Sequence, residues 1–145
     1  MQTVERVIIQ ATPSVVWRVL ADIERWPTWT PTVEQVQALT PDGLRLGARY
    51  RITQPKLRPA IYEVTELSPH RALTWMQKAP GATMIADHRL VGDDSSTEVE
   101  LSFSTEGLLG AILGSMYAKR IAESVKTEAR SLKAHCEKFP EAATA

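Results

Sequence analysis

Apolar positions recur at helical spacing along residues 107–138, which lie in the longest stretch of the chain without proline. The recurring residues are Leu113, Tyr117, Ile121, Val125 and Leu132. A stripe with this period is typical of an amphipathic helix that buries one side. The pattern therefore predicts a single long C-terminal helix, which the rest of the chain must cover on its apolar side.

The N-terminal part of the chain predicts a strand followed by one or two short helices. Apolar and polar residues alternate over residues 2–10, as in a strand with one buried face. Thr12 is suited to cap a helix because its hydroxyl can accept a backbone N–H, and Pro13 fits the first helical position. The helix is expected to stop near Trp26-Pro27, because a residue before proline disfavours helical backbone. Its expected buried side consists of Val15, Val16, Val19, Leu20 and Ile23.

From residue 33 the period changes to two, and further strands are predicted. Turn signals rich in proline, glycine, aspartate and serine separate them. They are expected at residues 33–39, 47–54, 61–67, 72–78, 83–91 and 97–105. Short turns between consecutive strands imply an antiparallel meander, whose apolar face must be covered. The expected fold class is therefore α+β, in the order β-α-α-β6-α. A curved antiparallel sheet wraps the long C-terminal helix and leaves a cavity where the wrap is incomplete.

Size, charge and cysteine content narrow the class of protein. The 145 residues suffice for one domain, expected at residues 1–139, with a disordered tail at 140–145. Seventeen Lys and Arg balance seventeen Asp and Glu, so the net charge gives no electrostatic case for nucleic acid or an anionic membrane. The lone Cys136 cannot form an internal disulfide, and the charged N-terminus does not fit a secretion signal. We therefore expect a cytoplasmic protein.

The apolar segment 107–118 is too short for a membrane span, which needs about 20 such residues. Gly110 and Gly114 have the GxxxG spacing found in membrane dimers. In so short a segment, this spacing is expected to allow close helix packing instead.

Signatures of common cofactor or metal enzymes do not appear in the sequence. The patterns HExxH, CxxC, P-loop, GxGxxG and GxSxG are all missing. His70, His88 and His135 fall on a turn, a strand and a late helix position, so their spacing does not suggest a metal site. No cofactor and no metal are expected.

His88 is the polar residue with the clearest functional potential. It shares strand parity with Ala86 and Leu90, so its side chain is expected to face the helix and the cavity. There it could act as a general acid or base near neutral pH, or orient a polar ligand. The alternative is a core histidine that bonds to a neighbour. We favour a role in lining the pocket over one in catalysis.

Other polar and aromatic residues share the inward faces of the predicted strands. They are Tyr50, Gln54, Tyr62, Trp75 and Gln77. Aromatic walls with a few polar groups suit a small-molecule pocket, although each residue alone could be a core filler. The expected apolar contacts to a ligand are Ile52, Leu73, Trp75, Leu90, Leu101, Leu113 and Met116. The expected polar contacts are His88, Tyr50 and Tyr62, with Gln54 beside them.

Glu128 lies in the middle of the helix stripe, where a carboxylate is costly to bury unless it is paired or hydrogen-bonded. It could hydrogen-bond to the first helix or the first strand. It could also be a buried acid at the far end of the pocket. We favour the structural hydrogen bond.

The chain resembles the START-like, helix-grip superfamily, in its polyketide cyclase/dehydrase-like (SRPBCC) branch. The similarity extends over nearly the whole chain and is carried by residues 11–22, 26–29, 63–66, Gln54-Pro55 and Leu73-Thr74-Trp75. It implies the helix-grip fold and places the proline-bracketed loop with Trp29 near the pocket mouth, as a gate or a structural plug. Members include lipid and hormone carriers and aromatase/cyclases. No catalytic motif of an aromatase/cyclase matches this chain.

The best-supported function is binding of a small, mostly hydrophobic molecule, aromatic or lipid-like, in the cavity. The alternative is a cyclase/dehydratase-type enzyme in which His88 moves protons on a bound carbonyl compound. A third hypothesis is a ligand-free interaction module, which would expose an apolar patch, most readily along Gly107–Met116. No nucleic acid and no membrane span are expected, and the oligomeric state stays open, a homodimer included.

Overall fold

Seven antiparallel strands form one open, curved sheet in the order β1-β7-β6-β5-β4-β3-β2. This computed structural model describes residues 1–138, so Phe139 and the tail predicted at 140–145 lie outside the described residues. The strands are β1 (Gln2–Ile9), β2 (Gln35–Ala38), β3 (Arg49–Thr53), β4 (Ala60–Ser68), β5 (Ala72–Ala79), β6 (Ala82–Gly92) and β7 (Thr97–Glu106). The predicted meander from β2 to β7 is confirmed. β1 joins it at the edge by pairing with β7.

One α-helix and one 3₁₀ helix follow β1. Helix α1 spans Pro13–Ala21, and the Thr12 hydroxyl accepts a hydrogen bond from the backbone N–H of Val15 at 3.4 Å. The 3₁₀ helix spans Ile23–Thr28 and contains Pro27, so α1 itself ends earlier than predicted. The indole Nε1 of Trp26 donates to the Leu20 carbonyl at 2.9 Å, which anchors the 3₁₀ helix to α1.

The C-terminal region forms two helices, so the prediction of a single helix over residues 107–138 is wrong. Helix α2 spans Leu108–Met116 and helix α3 spans Ala118–Lys138. They are separated at Tyr117, whose φ of −109° and ψ of 12° are not helical. Because α2 packs on β6 and β7 whereas α3 packs mainly on β1, one straight helix cannot follow both paths.

Two glycines bring α2 close to the sheet. A Cβ at Gly114 would lie 2.6 Å from the Thr105 Oγ1 and 2.8 Å from the Met1 Cβ, so no larger residue fits there. The backbone N–H groups of Leu109 and Gly110 both donate to the Gly81 carbonyl, at 2.9 and 3.2 Å. A Cβ at Gly110 would make ordinary contacts, the nearest at 3.6 Å, so the predicted close packing is confirmed at Gly114 alone.

Helix α3 seats its C-terminal half tightly against β1 and α1. Ala129, Leu132 and Cys136 are buried in this half, whereas Val125 is the one buried residue of the first half and borders the cavity. Polar contacts fix the same end: the Lys133 ammonium donates to the Ile8 carbonyl at 2.6 Å, and the Glu137 carboxylate accepts from the backbone N–H of Gln10 at 2.7 Å. Burial raises the pKa of the Cys136 thiol to about 12, so it stays protonated as part of the core. The first half of α3 has no such close seat, and this leaves space beneath it.

Replacing Leu132 by alanine is expected to lower the free energy of unfolding by about 2–5 kcal/mol, because Leu132 is fully buried beneath α3. Urea unfolding followed by circular dichroism measures the change. Met116→Ala is the matched control: it removes a large apolar side chain from α2 that is exposed to solvent. It should change the same quantity by no more than about 0.5 kcal/mol. Equal losses in the two variants would contradict the proposed seating of α3.

Candidate functional site

A cavity of about 660 Å³ lies between the concave face of the sheet and the first half of α3. Strands β3 to β7 supply its floor, and α2 and α3 supply its roof. The 30s loop, which follows the 3₁₀ helix, and the β3–β4 loop contribute Pro31–Val33 and Gln54–Arg58 to its border. Its size falls within the range of about 300–1,000 Å³ usual for small-molecule pockets.

Aromatic side chains form the floor, with Trp75 at their centre. The ring centroid of Trp75 lies 5.1 Å from that of Trp26 and 5.3 Å from that of Tyr62. All three rings border the cavity, and Tyr50 packs behind Trp75 with its centroid 6.0 Å away. Such mutually packed rings offer a flat, rigid and apolar surface to a ligand.

His88 faces the cavity because the pairing of β6 with β5 and β7 is regular along its whole length. The prediction that His88 points inward is therefore confirmed, and the side chain is buried. Its Nδ1 lies 2.9 Å from the Leu73 carbonyl oxygen. A carbonyl only accepts, so Nδ1 carries the hydrogen, and in the neutral ring Nε2 holds the lone pair. Within residues 1–138 no protein group bonds to Nε2.

Glu128 also borders the cavity, on the roof opposite the aromatic floor. Burial raises the pKa of its carboxyl above the ordinary value of 4.5, and the nearby charge of His88 offsets this only in part. Burial, helped by the charge of Glu128, also raises the pKa of the Tyr62 hydroxyl to about 12. Three titratable groups, Glu128, His88 and Tyr62, thus meet inside one apolar enclosure.

The structure corrects the favoured interpretation of Glu128. The predicted hydrogen bond to α1 or β1 does not form, and the carboxyl accepts no hydrogen bond from any described residue. The side chain is half-buried because part of its surface faces the cavity. Glu128 therefore lies in the pocket as an enclosed acid, which is the second of the two positions considered from the sequence.

The border of the cavity carries positive charge. Lys56 and Arg58 lie on the β3–β4 loop, and Arg120 lies at the start of α3. All three are exposed, and none forms an ion pair within residues 1–138. Glu123 is the one exposed acid among the described lining residues. The mouth is therefore positively charged overall, whereas the interior is apolar.

Half of the predicted ligand contacts border the cavity: Ile52, Gln54, Tyr62, Trp75, His88 and Leu113. Leu73, Leu90 and Leu101 do not, because α1 and the second half of α3 close that end of the sheet into solid core. Tyr50 and Trp29 are buried behind Trp75 and Trp26 respectively, so each supports a wall instead of forming one. Met116 is exposed, because α2 turns its glycines toward the sheet.

Sequence reasoning missed Trp26 and the basic residues at the mouth as parts of the pocket. Trp26 was expected only to end a helix, yet its ring contacts both Trp75 and His88. The Lys56-Leu57-Arg58 triplet carried a detectable signal, since its basic residues follow a strand end in a proline-bracketed loop. Gln77, expected to face inward, does border the cavity, together with Met84.

Two negative findings apply to residues 1–138. No group of three or more His, Cys, Asp or Glu side chains in this part of the chain could hold a metal ion. None of the helices found there is long and apolar enough to cross a membrane.

Replacing Glu128 by glutamine is expected to raise the free energy of unfolding by an amount that grows with pH. Because the pKa of Glu128 is raised on folding, the folded protein holds this proton more tightly than the unfolded chain does. The resulting stability is fully present below pH 4.5 and is lost as the pH rises through the raised pKa. Glutamine cannot ionise, so the variant avoids this loss. Urea unfolding at pH 4.5 and at about pH 8 measures the difference.

Glu123→Gln is the matched control, since Glu123 is an exposed acid on the same helix at the border of the same cavity. Its effect on the free energy of unfolding should be similar at both pH values. A stability gain for Glu128→Gln that does not change with pH would show that the carboxylate finds stabilising partners when ionised.

Comparison with solved structures finds the same fold in other proteins. A START superfamily protein from Mycobacterium smegmatis is 18% identical with a TM-score of 0.77, over 95% of this chain and 98% of that one. The Zhui aromatase/cyclase from Streptomyces sp. R1128 is 18% identical with a TM-score of 0.73, over 99% and 97%. The di-domain ARO/CYC BexL from the BE-7585A biosynthetic pathway is 17% identical with a TM-score of 0.76, over 97% of this chain. The chain spans about half of BexL, 48% of its length. At these identities the likeness establishes the fold alone.

Sequence comparison identifies the family. A search of curated proteins gave no match. The model of a family described as polyketide cyclase/dehydrase and lipid transport matches residues 1–137. This match spans nearly the whole chain and agrees with the residues that carry the START-like resemblance. The chain therefore belongs to the polyketide cyclase/dehydrase and lipid transport family, and it has the helix-grip fold of START-like proteins.

Proposed function

We propose that the protein binds a small, mostly hydrophobic molecule, aromatic or lipid-like, in the cavity beneath α3. The observation that carries this proposal is the cavity itself, about 660 Å³ in volume and walled by aromatic and aliphatic side chains. A close-packed core leaves few voids larger than a water molecule, so a space of this size needs a reason other than folding. Burial of a ligand's apolar surface there would supply most of the binding free energy.

The polar groups in the cavity define one end of the proposed ligand. A protonated Glu128 and the Tyr62 hydroxyl can each donate a hydrogen bond, and Nε2 of neutral His88 can accept one. A carbonyl or hydroxyl group on the ligand would meet these partners. An anionic group would not suit this end, because its charge would lose its hydration in an apolar enclosure where the described residues offer no cationic side chain to pair with it. An acidic ligand group would instead lie at the mouth, near Lys56, Arg58 and Arg120.

The buried, reduced Cys136 accords with a cytoplasmic location, which is the compartment we propose.

Native mass spectrometry of freshly purified protein would detect a molecule that stays in the cavity. Solvent extraction would then identify its class.

The decisive test of binding uses a neutral aromatic probe, N-phenyl-1-naphthylamine, whose fluorescence rises in apolar surroundings. Ala86 borders the cavity between Trp75 and Phe103, its partners on the neighbouring strands. Ala86→Trp should fill the space and weaken probe binding about tenfold or more, which corresponds to about 1.4 kcal/mol. Val91→Trp is the control, because Val91 lies on the same strand but is exposed. Equal probe affinity in the Ala86→Trp variant and the wild type would overturn the proposal.

A second candidate function, favoured by Glu128 and His88 facing one cavity, is an enzyme of the cyclase/dehydratase type. In this proposal Nε2 of His88 removes a proton from the carbon next to a ligand carbonyl. The enolate carbon attacks a second carbonyl of the same molecule and forms a C–C bond, and the carbonyl oxygen takes a proton from Glu128. In the loss of water from the resulting hydroxyketone, the hydroxyl leaves with the proton held by His88, and the Glu128 carboxylate takes a proton from the adjoining carbon, which restores both groups. No oxidant or cofactor is needed for this balance.

Deuterium exchange at the α-carbon of 2-tetralone, followed by NMR in D₂O, tests the first step. The wild type should exchange the proton faster than buffer alone does. His88→Gln should lower the enzymatic exchange rate about 10²–10⁴-fold, while the affinity for 2-tetralone changes little. His70→Asn is the control, because His70 is exposed and asparagine tolerates its positive φ of 68°. Exchange at the buffer rate by the wild type would leave ligand binding as the sole proposed function.

A further inference from the structure

Helix α2 exposes its largest apolar side chains. Leu108, Ile112 and Met116 lie one turn apart on one side and are 81%, 50% and 68% exposed. Leu109 and Tyr117 flank them and are also exposed. No charged residue occurs from Gly107 to Ala118. We call these five side chains the α2 face.

The packing of α2 is the reverse of an ordinary surface helix. Its buried residues are Gly110 and Gly114, which lie against β6 and β7, and its large apolar residues point away from the core. An ordinary surface helix buries its apolar stripe and exposes polar residues. Folding of this domain therefore does not explain the composition of the α2 face, and a contiguous exposed apolar face of this kind marks an interaction surface.

Positive charge surrounds the α2 face. Lys119 and Arg120 lie in the first turn of α3, and Lys56 and Arg58 lie across the cavity mouth with the exposed Leu57 between them. None of these four cations forms an ion pair with a described residue. Four of the other cations form ion pairs: Arg6 with Glu100, Arg25 with Asp22, Arg89 with Glu66 and Asp87, and Lys133 with Glu137. The acids nearest in sequence are Glu106 and Glu123, so the surroundings remain positive overall.

An apolar face with cations around it suits some kinds of partner better than others. In a two-fold dimer the same surface meets itself, so cations around the α2 face would approach cations of the second copy. A surface that is negatively charged outside and apolar inside satisfies both features at once. Helices that lie in the plane of a bilayer have this pattern, with apolar side chains in the acyl boundary and Lys or Arg at the headgroups.

We propose that the α2 face docks the protein on membranes that contain anionic lipids. Leu108, Ile112 and Met116 would enter the acyl boundary, and Lys119 and Arg120 would contact the headgroups. Leu57, between its two cations, would form a second contact on the other side of the mouth. Because Leu113 and Tyr117 border the cavity, docking brings the cavity mouth to the bilayer. Such docking requires no bound ligand, so it stands apart from the proposed function.

Sedimentation with vesicles tests the proposal, using phosphatidylcholine alone and phosphatidylcholine with about 30% phosphatidylglycerol. The full chain should bind the anionic vesicles, and less so as salt rises. The triple variant Leu108→Ser/Ile112→Ser/Met116→Ser should bind at least about tenfold more weakly, because three apolar side chains are lost from the interface. Leu46→Ser/Val91→Ser is the matched control, since both positions are exposed and lie outside the α2 face. It should bind as the wild type does.

A charge variant tests the second feature. Lys119→Gln/Arg120→Gln should lower binding to anionic vesicles about tenfold to thirtyfold. The matched control Arg45→Gln/Arg71→Gln removes two exposed cations elsewhere and should change binding much less. The cavity-filling variant Ala86→Trp should bind vesicles like the wild type, which separates docking from ligand binding.

Any of the following results would overturn the proposal. The first is no sedimentation of the wild type with anionic vesicles. The second is equal binding to neutral and anionic vesicles, or equal binding by the triple serine variant. The third is a stable dimer in light scattering that the triple serine variant converts to monomer, which would assign the α2 face to a second copy of the chain.

Discussion

The uneven seating of α3 on the sheet determines the rest of this structure. At its C-terminal half, the small Ala129 and the fully buried Leu132 let the helix approach β1, and the Lys133 ammonium fixes the contact by donating to the Ile8 carbonyl. The first half lacks close contacts of this kind. Because a helix is stiff over its length, seating one end without the other leaves a wedge of space. The cavity follows from this geometry, and the aromatic rings of the sheet become its floor.

Two sets of ionisable residues show how paired and unpaired charges differ in this protein. On the outer face of the sheet, the Arg89 guanidinium binds Glu66 at 2.6 Å and Asp87 at 2.9 Å, so these charges satisfy one another. Inside the cavity, Glu128 has only the partial electrostatic help of His88 and no hydrogen bond within residues 1–138. An enclosed carboxyl without a partner destabilises the fold. Ionisable groups with perturbed surroundings of this kind occur most often at functional sites.

The sequence predicted the features that depend on local pattern. Strand period and turn residues gave the meander, Thr12 and Pro13 gave the start of α1, and strand parity placed His88 inward. The break at Tyr117 could not be predicted, because the apolar spacing continues across it from Leu113 to Ile121. The sequence also could not predict which inward-facing residues border the cavity, since this depends on the position of α3. Leu73 and Trp75 share one face of one strand, yet only Trp75 has open space before it.

The net charge of the chain and the charge near the cavity mouth differ in the same way. The equal numbers of acidic and basic residues, seventeen each, describe the chain as a whole. A partner responds only to charges within about one Debye length, roughly 8 Å at physiological salt. Arg6 and Arg89 pair with acids on the sheet and Lys133 pairs with Glu137 at the end of α3, whereas Lys56, Arg58 and Arg120 form no ion pair with a described residue at the cavity mouth. A net charge of zero therefore coexists with a positive mouth, and any molecule that approaches the cavity meets the local charge before the apolar interior.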